Sequence, residues 1–151
     1  MPKIDIASVP KRQGSSYPAP FHEKSQQRIK QALGAGLTQF GVNLTKLPPG
    51  EWSSQRHWHT QEDEFVYVLS GELVLIEDDG ETVLRAGECA AFPKNTGNGH
   101  HLINRGGEVA VYLEVGSDIA DDGVYYSDID MALPNPATGF TRKDGRPYPK
   151  R

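Results

Sequence analysis

Four of the five histidines fall in two tight pairs, His57-Trp58-His59 and His100-His101, and a glutamate, Glu64, follows the first pair closely. Imidazole nitrogens and carboxylate oxygens are good ligands for a divalent metal ion when several can be aimed at one point. Side chains alternate between the two faces of a strand, so His57 and His59 share a face one pleat apart and Trp58 points to the other. Glu64 follows the polar turn 60–63 and opens the next strand, which predicts a position beside His59 at the mouth of a hairpin. Three ligands would then come from one hairpin and a fourth from a distant strand. A lone His-X-His pair also arises by chance, and Glu62, Asp63 and Glu64 by themselves read equally as a solvated acidic turn.

The same alternation, carried along the chain, puts Ser53 and Gln55 on the face of His57, and Val66 and Val68 on the face of Glu64. Ser53, Gln55 and Val66 would thus line a mostly apolar small-molecule pocket with one amide donor. Gln55 reads as well as a hydrogen-bonded wall residue as it does as a substrate contact. Arg56 and Tyr67 should point away. No general base stands out besides Glu64 itself, and His101 reads as a packed neighbour. Cys89, in the apolar run Glu88-Cys89-Ala90-Ala91-Phe92, has no cation or helix terminus beside it, so a buried, inert thiol is expected.

The elements that must position these side chains are short strands. Residues 37–44 alternate loosely, Leu47-Pro48-Pro49-Gly50 makes a turn, and 51–58 form a second strand. Residues 65–69, rich in β-branched and aromatic side chains, are the strongest strand. Gly71 bends it into 72–76, Asp78-Asp79-Gly80 makes a hairpin turn, and 81–85 return. A strand at 89–92 is closed by Pro93. Residues 101–104 and 108–115 are expected to pair as a hairpin around Arg105-Gly106-Gly107, and 124–126 form a last short strand. Only 21–33 could be a short helix. Regular short strands without crossover helices mean an antiparallel all-β barrel or sandwich.

A length of 151 residues, with 36% hydrophobic and 24% charged, fits one globular domain. The division expected is an extended N-terminal arm at 1–36, a barrel at 37–116 and an irregular C-terminal extension at 117–151. The net charge of -4 leaves no basic face for nucleic acid; Lys3, Lys11 and Arg12 near one end, and Arg142 to Arg151 near the other, read as solvated tails. Residues 1–13 lack the apolar core of a signal peptide, nothing approaches the ~20 apolar residues of a membrane span, and the single cysteine cannot form an internal disulfide. A cytoplasmic protein without membrane or nucleic-acid partners is the expectation.

Two longer patterns resemble the cupin family. Gly50, a spacer, His57-Trp58-His59, Thr60 to Asp63, Glu64 and then Gly71 resemble the first cupin motif, with a spacer one residue longer than usual. Gly87, Pro93, His100 and Asn104 resemble the second, with a longer loop after Pro93 and with Asn95 where glycine is common. The Asn104 spacing favours His100 over His101. The resemblance implies a double-stranded β-helix, or jelly roll, with one divalent ion held by His57, His59, Glu64 and His100.

Three imidazoles and a carboxylate suit Fe, Mn, Ni, Co or Zn, and on an octahedral ion they leave two adjacent positions for water, oxygen or substrate. The function expected is a metal-dependent enzyme acting on a small polar metabolite as an oxygenase, isomerase or lyase. The alternative is a non-catalytic module that senses or stores a sugar-like or carboxylate ligand, and a purely structural metal is a third reading. The arm, with few apolar residues to fold on itself, would pair with a neighbouring barrel in a homodimer, as cupin arms commonly do.

Overall fold

The computed structural model describes residues 2–151. Its strands, in chain order, are β1 (Arg12–Gln13), β2 (Ile29–Ala32), β3 (Phe40–Leu47), β4 (His57–His59), β5 (Glu64–Ser70) and β6 (Glu72–Glu77). They continue as β7 (Gly80–Arg85), β8 (Cys89–Phe92), β9 (His101–Ile103), β10 (Ala110–Ser117), β11 (Val124–Tyr126) and β12 (Ala132–Leu133). Among the described residues there is no α-helix. The segment expected as a possible helix is a 3₁₀ turn, Phe21–Ser25, followed by β2.

Alternation decides how the sheets face. In β5, Val66 and Val68 are buried while Phe65, Tyr67 and Leu69 are exposed. β5 lies in a six-stranded sheet ordered β1-β2-β3-β10-β5-β8, opposite a smaller sheet ordered β7-β6-β9. Leu47, Val66, Val68, Phe92 and Tyr112 from the first sheet meet Leu73, Leu75, Leu84 and Leu102 from the second in one core. Each such aliphatic side chain contributes about 1.5–3 kcal/mol by leaving water. The arrangement is the all-β, double-stranded β-helix that the motifs implied.

The chain passes from one sheet to the other at Gly71, between β5 and β6. Its φ is +79°, and a Cβ there would stand 2.9 Å from Ala110 Cα, so both the turn and the close approach require glycine. The expected hairpin of β9 with β10 does not form. β9 pairs with β6, and β10 pairs with β3 and β5, because Leu102 and Tyr112 must face each other across the core from different sheets.

The arm is docked on its own barrel. β1 pairs with β2, which pairs with β3, so the main sheet begins inside the segment assigned to the arm. Gln31 Nε2 donates to the carbonyls of Ile6 and Val9, and Tyr17 is buried against Tyr126 and Phe140. Tyr17 and Phe21 are the apolar anchors that let it fold back. The C-terminal extension also enters the sheet structure: β11 pairs with both β12 and β4. Cys89 corrects its expectation. It is exposed, since Ala90 and Phe92 take the inward positions of β8.

Candidate metal centre

His57 and His59 do project from one face of a strand, but β4 is only three residues long and is not in a hairpin with β5. β4 is held on one side by β11, with His57 opposite Tyr126 and His59 opposite Val124. On the other side His57 and His100 exchange backbone hydrogen bonds of 3.2 and 2.9 Å. Glu64 opens β5 in the main sheet, paired with Phe92 and with Gly116. The four side chains therefore arrive from three places: the small sheet, the loop before β9, and the first residue of β5 in the core sheet.

His57, His59 and Glu64 form a close group of ligand atoms, and the His100 ring also reaches the same oxygen of Glu64. Glu64 Oε1 lies 3.7 Å from His57 Nε2, 3.0 Å from His59 Nε2 and 3.1 Å from His100 Nε2. His57 Nδ1 donates to the Gln55 carbonyl at 2.7 Å, and His59 Nδ1 donates to Asp122 Oδ2 at 2.5 Å. In a neutral ring a proton fixed on Nδ1 leaves the lone pair on Nε2, so these rings, when neutral, present acceptors, not donors, to Glu64. The ring of His100 is set by stacking on Phe92, with centroids 3.6 Å apart and planes 4° apart. Glu64 Oε1 is buried without a hydrogen-bond partner. An anionic oxygen facing nitrogen lone pairs in a buried site calls for a cation among them.

The proton affinities reflect the same demand. Burial would push the Glu64 carboxyl up, but the three imidazoles hold it well below the ordinary glutamate range. Without an ion, a second proton on Nε2 can take its place: burial would push His59 down, yet the hydrogen bonds and charges of Glu64 and Asp122 raise it to about 9. Burial lowers His100, partly opposed by Glu64. The site attracts positive charge at its centre and resists it at the third ring.

A cavity of about 50 Å³ adjoins the cluster, lined by Trp58, His59, Glu62, Glu64, Glu77, Phe92, Thr96, Asn98 and His100 among others. Glu77 Oε1 accepts from Asn98 Nδ2 at 3.2 Å. Glu62 and Glu64 also border a more open groove with Glu114 and Asp118. Among the described residues, no lysine or arginine lines either opening.

Ser53, Gln55 and Val66 do not line this cavity, which corrects the pocket expected from alternation. Residues 53–56 are bends, and the strand begins only at His57, so the faces cannot be projected backwards. Ser53 Oγ accepts from the Leu102 amide, Gln55 Nε2 donates to the Phe21 carbonyl, and Val66 is in the core. His101 turns away from the cluster: Nδ1 donates to the Ser54 carbonyl, and the ring meets Trp52 edge-on. Arg56 also faces away, bound to Asp78 and Asp128. The sequence reading missed Asp122, Glu77 and Asn98. Asp122 lies in the irregular stretch assigned to the C-terminal extension, and only the pairing of β11 with β4 brings it near the histidines.

The loop before His100 shows how its length is accommodated. Asn95 has φ +58°, the left-handed conformation that asparagine tolerates better than other side chains, and its amide donates to the His59 carbonyl at 2.7 Å.

Comparison with known proteins places these features. The family described as "Cupin domain" matches residues 43–116. A sugar phosphate isomerase of the cupin superfamily from Silicibacter pomeroyi is 46% identical, with 97% of this chain and 96% of that chain covered and a TM-score of 0.92. A candidate sugar phosphate isomerase from Acidithiobacillus ferrooxidans is 27% identical over 83% of this chain and 82% of its own, with a TM-score of 0.72. Protein SchB of Streptomyces halstedii is 33% identical over 79 residues, 52% of this chain, and the match spans about half the length of that relative.

Proposed function

The chain belongs to the cupin superfamily, and from that premise we propose that it is a metal-dependent isomerase of a small polyhydroxylated carbonyl compound, with a divalent transition-metal ion held by the close group His57, His59 and Glu64 and by His100, whose Nε2 stands 3.1 Å from Glu64 Oε1. The observation that carries the metal reading is the buried Glu64 oxygen with three imidazole nitrogens around it, two of them with the ring proton tied elsewhere. The donor set fits Fe, Mn, Ni, Co or Zn. Such an ion, when bound, supplies a Lewis acid that polarises a carbonyl.

The remaining chemistry falls to the protein. Isomerising an aldose to a ketose moves a proton between neighbouring carbons, which needs a base that can take it and return it. Glu77 is the carboxylate in the cavity wall that is not part of the ligand cluster or the loop beside it, and Asn98 holds one of its oxygens. Trp58 and Phe92 supply apolar wall, and Thr96 and Asn98 supply hydrogen bonds for hydroxyl groups. Isomerisation is favoured over oxygenase or lyase chemistry by the activity named for the Silicibacter relative, which this chain matches across nearly its whole length. With carboxylates and no lysine or arginine on the cavity wall, the portion of substrate that enters should be uncharged, and any phosphate should remain outside.

The test is to load purified protein with each ion in turn and incubate it with aldose–ketose pairs, free and phosphorylated, in deuterium oxide. Deuterium appearing beside the carbonyl supports isomerisation. Full metal loading with no exchange on any pair would favour the non-catalytic binding module.

A further inference from the structure

Asp122 lies outside both cupin motifs, in the connection from β10 to β11, and is buried. Its two oxygens have different partners. Oδ1 accepts the backbone amides of Gln61 at 2.9 Å and Glu62 at 3.1 Å, and Oδ2 accepts His59 Nδ1 at 2.5 Å. Other bonds join the same two loops: Thr60 N to the Gly123 carbonyl at 2.9 Å, Gly123 N to Thr60 Oγ1 at 2.9 Å, and Ile119 N to Glu62 Oε2 at 2.8 Å. The carboxylate thus reaches from a fixed seam to one ring nitrogen.

His59, Glu62 and Asp122 also form a second close group of ligand atoms, with Glu62 Oε1 3.7 Å from His59 Nδ1. Separation decides between an ion and a proton there. Two ligand atoms on one ion, each about 2.0–2.1 Å from it, stand about 3 Å apart. The 2.5 Å between Nδ1 and Oδ2 is the length of a charge-assisted hydrogen bond. A proton fits; an ion does not.

We propose that Asp122 is the positioning residue of the metal centre: it fixes the ring proton of His59 on Nδ1 and so keeps Nε2 free to bind the ion. This rests on the metal-binding reading above. It extends the centre to the C-terminal segment, which neither motif includes.

The informative variant is Asp122→Asn. Its oxygen can still accept the Gln61 and Glu62 amides, but its amide N–H then faces His59 Nδ1 and drives the ring proton onto Nε2. Zinc affinity, measured by chelator competition, should fall about 10–100-fold, while the melting temperature of the metal-free protein changes little. Thr60→Val removes a bond of the same seam without touching His59, and should leave zinc affinity within about threefold of wild type. A His59 Nδ1 proton should resonate far downfield in wild type, with and without zinc, and be lost in Asp122→Asn. Unchanged zinc affinity in Asp122→Asn, or equal losses in both variants, overturns the proposal. So does a zinc-loaded wild type carrying the His59 proton on Nε2, which decides the matter even if Asp122→Asn fails to fold. A wild type that binds none of the five ions sinks the metal reading instead, and the Nδ1 resonance of that metal-free sample still tests whether Asp122 fixes the ring.

Discussion

The ring of His100 lies flat on the ring of Phe92, 3.6 Å between centroids and 4° between planes, so the last residue of β8 sets the angle of a side chain in the candidate metal centre. Phe92 also belongs to the core between the two larger sheets. One side chain therefore connects the packing of the barrel to the geometry of the site. Cross-strand pairing puts Phe92 directly opposite Glu64, which fixes both groups relative to the same backbone.

Phe92→Leu should keep the fold and loosen the ring. The exchange is a modest large-to-small change in the core and should cost about 1–3 kcal/mol, so the cooperative melt should persist. His100 would lose its flat support, and metal affinity should fall by about tenfold, at the low end for loss of a group that orients a ligand. Chelator competition beside a thermal melt separates the two effects. Unchanged affinity would mean that the His57–His100 backbone pairing alone holds the ring.

Gly99 offers a second route to the same ring. A Cβ built there would collide with Ser127 Oγ and stand 3.3 Å from Arg56 Cγ. Gly99→Ala should therefore destabilise the protein by about 1–3 kcal/mol through overpacking and displace His100. Adding Ser127→Gly should restore part of that loss, because the two positions share one clash. Denaturant unfolding of the two single variants and the double variant tests this, and strictly additive losses would contradict it.

What the sequence made legible was local. The two-residue period brought His57 and His59 to one face, and the motif spacing singled out His100 over His101, which the structure turns to Ser54. The same period misled at Ser53 and Gln55, because it holds only where the backbone is extended and β4 begins at His57. Pairings between distant strands were not legible. The expected β9–β10 hairpin failed because each strand is recruited to a different sheet. Asp122 could not be found because its partner, His59, becomes a neighbour only when β11 pairs with β4.

Proton linkage gives a prediction for the metal-free protein. The folded His59 value of about 9 lies above the unfolded value of about 6.5. Its contribution to stability is therefore complete below about 6.5 and is lost as pH rises through about 9. Glu64 is shifted the other way, held well below its ordinary range, so its contribution is present above about 4.3 and is lost as pH falls through its folded value. The chelator-treated protein should melt at progressively lower temperature from pH 7 to 10, and again on strong acidification. A metal ion replaces the proton at the ligand atoms, so loading should strengthen as pH rises. A melting temperature that is flat from pH 7 to 10 without metal would contradict the ring–carboxylate pairing.

Glu77 carries the last prediction. If it moves the proton in an isomerisation, Glu77→Gln keeps the shape of the cavity and the contact with Asn98 but removes the base. Turnover should fall about 10²–10⁴-fold, the usual contribution of a positioned acid–base group. Metal affinity should stay the same, because Glu77 is not among the atoms around Glu64 Oε1. Asn98→Ala leaves the carboxylate in place but unheld, so its loss should be smaller and should appear in KM as well as kcat. Deuterium exchange beside the substrate carbonyl reports the proton transfer directly, and it should be lost in parallel with turnover. If Glu77→Gln retains full exchange, the proton is handled elsewhere, and Glu62, the other wall carboxylate outside the ligand cluster, becomes the residue to replace next.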